Sequence, residues 1–272
     1  MTGMQWTPEA EAALKRVPFF VRKRVRARVE KEAQDAGKDR VALADVKATQ
    51  ARYLSGMHAE IKGYQIDTCF GPSGCPNRAV AGDALLARVE AVVQRADLLS
   101  FLKERVAGDL KFHHEFRVTL ADCPNACSQP QIKDVGIIGA AVPETTAEAC
   151  TRCEACTASC TERAIELAAG SDPPRIDPGR CLNCGQCIRA CPTGSIAEAW
   201  RGFRVQIGGR LGRHPRLARE LPGIFSEDQV IEIVQACLDL YKARSRHGER
   251  FAHLFQDGDF EAFSRRFCGS AI

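Results

Sequence analysis

Apolar residues recur at helical spacing near the start of the chain. In KRVPFFVRKRVRARVEKEA the valines Val17, Val21, Val25 and Val29 fall every four residues with cations between them, the stripe of an amphipathic helix. Ahead of it, Thr7 and Pro8 form an N-cap and N1 pair, and Glu9 and Glu11 suit the first turn of a preceding helix. Pro18 opens the valine helix, Gly37 ends it, and VALADVKATQARY predicts a short third helix. Further on, DALLARVEAVVQRADLLSFLKERV carries Leu85, Leu86, Val89, Val92 and Val93 on one face. EDQVIEIVQACLDLYKA also reads as helix, with Cys237 as a small core hydrophobe. EFRV and the Val-Gly-Ile-Ile that begins at Val135 read as strands, and AGSDPPRIDPGR as turn-rich linker. The pattern predicts an α+β protein with a small helical unit at its N-terminus.

The 272 residues suffice for two or three units with cores of their own. A hydrophobic share of 45% and a charged share of 26% are those of an ordinary globular chain. The apolar run around Val135–Val142 is too short to span a bilayer, and no signal-peptide core opens the sequence. A cytoplasmic protein without a membrane partner is expected. Net charge is +4, and residues 1–40 carry the whole excess, with ten Lys/Arg against six Asp/Glu. That stretch reads as a nucleic-acid or membrane arm, or as a solvated helix face. The valine period favours the face, and no base-reading motif accompanies it, so no nucleic-acid partner is expected.

Fourteen cysteines change the picture. In a reducing compartment their spacings point to metal rather than disulfides. CTRCEACTASC supplies Cys150, Cys153, Cys156 and Cys160, and CLNCGQCIRACP supplies Cys181, Cys184, Cys187 and Cys191. Both runs are C-x2-C-x2-C-x3-C, an internal repeat about thirty residues apart, and the second ends in Pro192. The pattern resembles that of bacterial two-cluster ferredoxins, where the fourth cysteine of each run serves the other cluster. That resemblance implies one [4Fe–4S] on Cys150, Cys153, Cys156 and Cys191, and another on Cys181, Cys184, Cys187 and Cys160.

Cys69 and Cys75 form a C-x5-C in TCFGPSGCPNRA, and Cys123 and Cys127 a C-x3-C in FRVTLADCPNACSQPQIKDVGIIG. Neither is a zinc-finger or ferredoxin spacing. Together they resemble the cluster motif of the sulfite and nitrite reductase family, and GFRVQIGGRLGRHPRLA resembles that family's closing strand and Gly-rich turn. The resemblance covers about residues 60–262. It implies a third [4Fe–4S] on Cys69, Cys75, Cys123 and Cys127, with Cys127 bridging to the iron of sirohaem. Sirohaem is ringed by carboxylates, so cations near these motifs become candidates: Arg78, Lys111, Arg117, Lys133, Arg204, Arg210 and Arg213. Of these, Arg117, Lys133 and Arg78 are the candidates for substrate contact, and Gly208, Gly209 and Gly212 would admit close approach to the macrocycle. His113 and His114 are candidate proton donors.

Two departures qualify the resemblance. The family often has a basic residue where Glu115 stands, which removes a cation from the expected anion pocket and bears against sulfite itself as substrate. Typical members also carry a half-domain of several strands before the first cysteine pair, and here there is room for little. Instead, residues 1–52 resemble a small domain of light-independent protochlorophyllide reductase, which suggests a lid over a macrocycle or a docking domain. The expected domains are 1–52, a sirohaem and cluster domain in two parts at 53–143 and 199–272, and a two-cluster ferredoxin domain inserted at 144–198. The implied function is reduction of a small oxyanion, sulfite or nitrite. Electrons would pass from a donor protein through the ferredoxin clusters to the sirohaem-coupled one. A homo-oligomer or a complex with another protein would close the pocket. The alternative is a multi-cluster electron-transfer subunit of a larger complex with no sirohaem of its own.

Overall fold

The structure, a computed structural model, describes residues 4–59, 61–168 and 173–267. Cys268 lies outside them. The chain divides into two compact units, Met1–Ile61 and Lys62–Ile272.

In the first unit, β1 (Gln5–Trp6) leads into α1 (Pro8–Lys15), whose first turn is capped by the Thr7 hydroxyl accepting from the Ala10 N–H at 3.3 Å. Then come α2 (Phe19–Asp35), β2 (Arg40–Val41) and α3 (Leu43–Ala59), with β1 and β2 paired in parallel. Pro18 stands at the N-cap of α2, and Gly37 closes its other end at φ +69°, a conformation that costs a residue without Cβ little. Ala10, Val29, Ala33, Val41 and Val46 form the core. Val29 is therefore buried, whereas Val17, Val21 and Val25 stay half-exposed along an open groove shared with Ala12, Ala13 and Leu43. Glu32 joins α2 to α3 by accepting from the Thr49 hydroxyl at 2.6 Å and from Arg52, and these partners hold its carboxyl down at about 2.

The second unit is built on a five-stranded sheet. In chain order its first elements are β3 (Tyr64–Thr68), the helices α4 (Asp83–Arg95) and α5 (Leu98–Arg105), β4 (Phe116–Ala121) and β5 (Val135–Thr145). A cysteine-rich stretch follows, with α6 (Ala155–Ser159), a hairpin of β6 (Ile165–Glu166) and β7 (Arg175–Ile176), and α7 (Gln186–Ala190). The chain returns through β8 (Ile196–Ile207) and β9 (Arg219–Glu220), then closes with α8 (Glu227–Arg244), α9 (Phe251–Leu254) and α10 (Asp257–Arg266). Strand order is β3-β4-β5-β8-β9, with the first three parallel and the last two pairings antiparallel. The parallel β3–β4 step needs a crossover, which α4 and α5 supply. The mixed α+β class expected from the pattern is the one observed. Among the described residues, no helix is long and apolar enough to cross a membrane.

Leu85, Val89, Val92 and Val93 of α4 are buried, and Cys237 of α8 is buried in the same core. An aromatic chain continues this core from Phe101 and Phe116 through Tyr241 and Phe251 to Phe255, Phe263 and Phe267, with most centroids 5.3–5.6 Å apart. Truncation of Phe251, which touches three of these rings, is expected to lower stability by about 3–5 kcal/mol, read as an earlier denaturation midpoint of Phe251→Ala.

Asp134 precedes β5 and is buried, accepting from the backbone N–H of Arg117 at 2.9 Å and of Ala252 at 3.3 Å. Burial pushes its carboxyl up to about 6 against the pull of Arg250 and these N–H groups. An unfolded aspartate releases its proton near pH 4, so this group's contribution to the fold is full below that and is lost as pH rises through about 6. The stability of the wild type relative to Asp134→Asn should thus rise by about 1 kcal/mol between pH 7 and pH 5, measured by denaturant titration.

Candidate metal centres

β3 and β4 end side by side, with Thr68 paired to Leu120. The chain leaving β3 reaches Cys69 at once, and its N–H still bonds the Leu120 carbonyl at 3.1 Å. A short 3-10 turn, Gly71–Ser73, closed by Gly74 at φ +96°, then brings Cys75 back. The chain leaving β4 reaches Cys123, and a turn through Ala126 at φ +53° presents Cys127. Cys69 Sγ accepts from the N–H groups of Gly71 and Asp122, both at 3.3 Å, and Cys127 Sγ accepts from the Asn125 amide at 3.0 Å. Burial pushes the Cys123 thiol up; the Asn125 N–H opposes this, and the nearness of Cys127, Cys69 and Cys75 adds to the rise. The two pairs, separate in sequence, are thus one group. Cys127 is exposed, while the other three are half-buried.

The remaining eight cysteines of the motifs form two further groups. Cys150, Cys153, Cys156 and Cys191 line one cavity, with Thr193 and Ser195 in its wall. Cys160, Cys181, Cys184 and Cys187 line another, walled by Ala164, Ile165 and Ile176. The last cysteine of each run therefore faces the cavity of the other run. The two halves repeat in backbone as well: Arg152 and Glu154 in the first, and Asn183 and Gly185 in the second, all have φ between +56° and +69°. Asn and Gly accept that conformation readily, whereas Arg and Glu are strained in it. Matching N–H groups also reach sulfur, from Arg152 to Cys150 at 3.4 Å and from Asn183 to Cys181 at 3.5 Å.

Burial, reinforced by the neighbouring thiols Cys181 and Cys184, pushes Cys187 up to about 12. Burial also opposes ionisation of Cys191, but hydrogen bonds led by the Ser195 hydroxyl and the Ile196 N–H outweigh it and bring that thiol to about 6. Crowded, half-buried thiols need a positive charge among them to ionise together, and metal supplies it. Among the described residues, no three His, Cys, Asp or Glu side chains converge closely enough to hold a single ion. In the two groups of the cysteine-rich stretch the thiols instead surround volumes, an arrangement that suits an iron–sulfur cubane. The family model described as the nitrite and sulphite reductase 4Fe-4S domain matches residues 72–269, more than half of the chain. The chain belongs to that family.

A second model, described as the proto-chlorophyllide reductase 57 kD subunit, matches residues 6–50. One of the subunits of the anaerobic sulfite reductase of Salmonella typhimurium is 26% identical over 241 residues, 83% of this chain and 63% of that protein. The coenzyme F420-dependent sulfite reductase of Methanocaldococcus jannaschii is 29% identical over 128 residues, 47% of this chain and 20% of that protein. The chain thus spans less than two thirds of the length of either. A solved dissimilatory sulfite reductase I overlays with a TM-score of 0.48 and 14% identity, over 76% of this chain and 52% of that one.

The cations named from the family resemblance are scattered. Arg78 lies beside the first thiol group but is engaged by Asp83 and Asp122. Lys133 pairs with Asp67. Arg117 and Lys111 lie toward the opposite end of β4 from Cys123, and six residues of extended strand span roughly 20 Å. There Arg117 bonds the Phe112 carbonyl at 3.3 Å and sits with Arg250 and Lys111 around His113, whose pKa is lowered by burial first and then by these three cations. Among the described residues, Arg117 Nε and the Nε and Nη2 of Arg250 are buried without a hydrogen-bond partner. Arg204 is held by Glu220 through two bonds of 2.7 and 2.8 Å, and Arg210 by the His214 and Ala252 carbonyls at 2.9 Å. Arg213 is exposed. Two of the glycines answer to the protein itself: a Cβ on Gly209 would stand 2.5 Å from the Gln131 carbonyl oxygen, and Gly208, at φ +82°, packs against Arg216, whereas a Cβ on Gly212 would meet nothing within 4 Å.

Glu115 is buried and accepts from the Lys62 N–H at 2.9 Å and the Gln65 amide at 2.7 Å. It fastens the start of β3 to the start of β4, at the other end of β4 from Cys123. Asp122 is the residue that the spacing of cysteines conceals. Buried against Cys69 and Arg78, it adjoins the first thiol group directly.

The exchange of terminal cysteines has a testable consequence. Cys160→Ala should remove about four iron atoms. Adding Cys181→Ala should remove no more, whereas adding Cys150→Ala should remove a second set of similar size. Iron and sulfide analysis with Mössbauer spectroscopy checks this, and an extra loss with Cys181→Ala would refute the exchanged pairing.

Proposed function

We propose that this chain is the cluster-bearing half of a sirohaem-dependent reductase that acts on a small oxyanion, sulfite or nitrite. In this reading Cys69, Cys75, Cys123 and Cys127 hold one [4Fe–4S]. Residues 144–198 form an inserted two-cluster ferredoxin domain, flanked by the two parts of the sirohaem domain at 53–143 and 199–272. Residues 1–52 form a protochlorophyllide reductase-like domain. The bound clusters and sirohaem supply one-electron carriage and multi-electron reduction, relayed from a donor protein in the cytoplasm.

The observation that carries the reading is the convergence of four thiols at the end of β3 and β4 with Cys127 alone exposed. A thiolate that bridges to a haem iron must face outward, and the three half-buried thiols can hold the cluster behind it. Membership of the nitrite and sulphite reductase 4Fe-4S domain family supports the same chemistry, as does similarity to part of an anaerobic sulfite reductase. In this reading the pocket is completed by a second copy, by a different protein of the same complex or by residues 1–52.

The engaged cations favour a second reading. Arg204 is occupied by Glu220, Arg210 by main-chain carbonyls and Lys133 by Asp67, which leaves few charges for haem carboxylates. A multi-cluster electron-transfer subunit without sirohaem needs none of them. Anaerobic purification with sirohaem supplied separates the two. Haem absorption bands, and their coupling to a cluster in Mössbauer spectra that is lost in Cys127→Ser, are expected from the first. Absence of haem bands in a chain that retains its clusters would overturn it in favour of the second.

A further inference from the structure

We propose that Asp122 is the positioning residue of the first thiol group and that, paired with Arg78, it sets the charge felt there. This rests on the reading that Cys69, Cys75, Cys123 and Cys127 hold a cluster.

Asp122 sits at 1% exposure between β4 and Cys123, and each of its polar groups is used to gather the thiol-bearing segments. Its N–H donates to Cys69 Sγ at 3.3 Å. Its carbonyl accepts from Ala79 at 2.8 Å and Val80 at 3.1 Å, which draws in the chain that follows Cys75. Its Oδ1 accepts from the Gly82 N–H at 3.2 Å. Its Oδ2 lies 2.6 Å from Arg78 Nε, a charge contact without hydrogen-bond alignment. One residue adjoining Cys123 thereby holds both Cys69 and the segment after Cys75.

The packing around it is equally specific. A Cβ on Gly71 would stand 1.9 Å from Asp122 Oδ2, one on Gly82 would stand 2.7 Å from Oδ1, and one on Gly139 would stand 2.6 Å from its carbonyl oxygen. Three glycines from three segments leave room for this one side chain and its backbone. A buried carboxylate is costly unless paired and bonded, and Arg78 with the Gly82 N–H meets that need. Arg78 has a second carboxylate in Asp83, at the start of α4, which anchors the guanidinium toward the surface.

Two variants separate position from charge. Asp122→Asn keeps the shape and the acceptor for Gly82 but makes the surroundings of the thiols more positive by one charge. It should retain its iron, while the midpoint potential of one cluster rises and the other two stay unchanged, because added positive charge favours the reduced, more negative state. Asp122→Ala keeps the main-chain bonds to Cys69, Ala79 and Val80 but removes the acceptor of Gly82 and the partner of Arg78. It should therefore bind less iron and lose amide-exchange protection around Gly82, with the EPR signals of the other clusters intact. An unshifted potential in Asp122→Asn, or full iron and full protection in Asp122→Ala, would overturn the proposal. Amide exchange reads Asp122 even if the wild type carries no cluster on these cysteines, an outcome that iron analysis and EPR of the wild type would show and that defeats the reading of the site instead.

Discussion

β3 and β4 run parallel and finish together, and a chain that leaves two parallel strands at adjacent ends must bring whatever follows them to the same point. Here cysteines follow both. Cys69 comes directly after β3 and Cys123 two residues after β4, so the ladder that pairs Thr68 with Leu120 also sets the separation of the two cysteine pairs. The core beneath keeps that ladder in register: Phe116, Val118 and Leu120 point into it from β4, and α4 and α8 cover it. Loosening this core would act on the thiols without touching any of them.

Charge is managed differently at the two ends of β4. At the thiol end, an aspartate and an arginine are paired, and polar hydrogens aim at sulfur. At the other end, Arg117 and Arg250 bury guanidinium nitrogens that find no hydrogen bond among the described residues, near Asp134, whose carboxyl is itself raised by burial. Hydrogen bonds and burial also divide the thiols of the cysteine-rich stretch, with Cys191 eased toward the thiolate and Cys187 held far from it. Metal arrival would therefore meet one sulfur already prepared to bind and others that ionise as positive charge accumulates.

Much of this was legible in the sequence because the features concerned are local. Helix caps, the valine period and the x2 and x3 spacings of the repeated cysteines depend on neighbours a few residues away. The union of Cys69 and Cys75 with Cys123 and Cys127 depends on strand pairing and was reached through family resemblance instead. The partners of the candidate cations were not legible for the same reason: Arg204 pairs with Glu220, and Lys133 with Asp67 across the sheet, neither evident from a motif. Gly209 leaves room for the backbone of residues 131–133, a contact that no motif announces. Asp122 left one faint sign, the glycines at 71, 82 and 139, whose common cause appears in three dimensions alone.

The long antiparallel pair of β5 and β8 has a further consequence. Thr145 and Ile196 face each other across it, so residues 146–195 depart and return through a single doorway. Under the reading proposed above, this stretch is a guest of the sheet, which could change in length over evolutionary time while β5 and β8 stay paired. The doorway is not its one tie to the sheet: Ala141 of β5 donates to the Asn183 carbonyl at 2.7 Å, so damage to the neighbouring sulfurs of Cys181 and Cys184 would be felt on β5 itself.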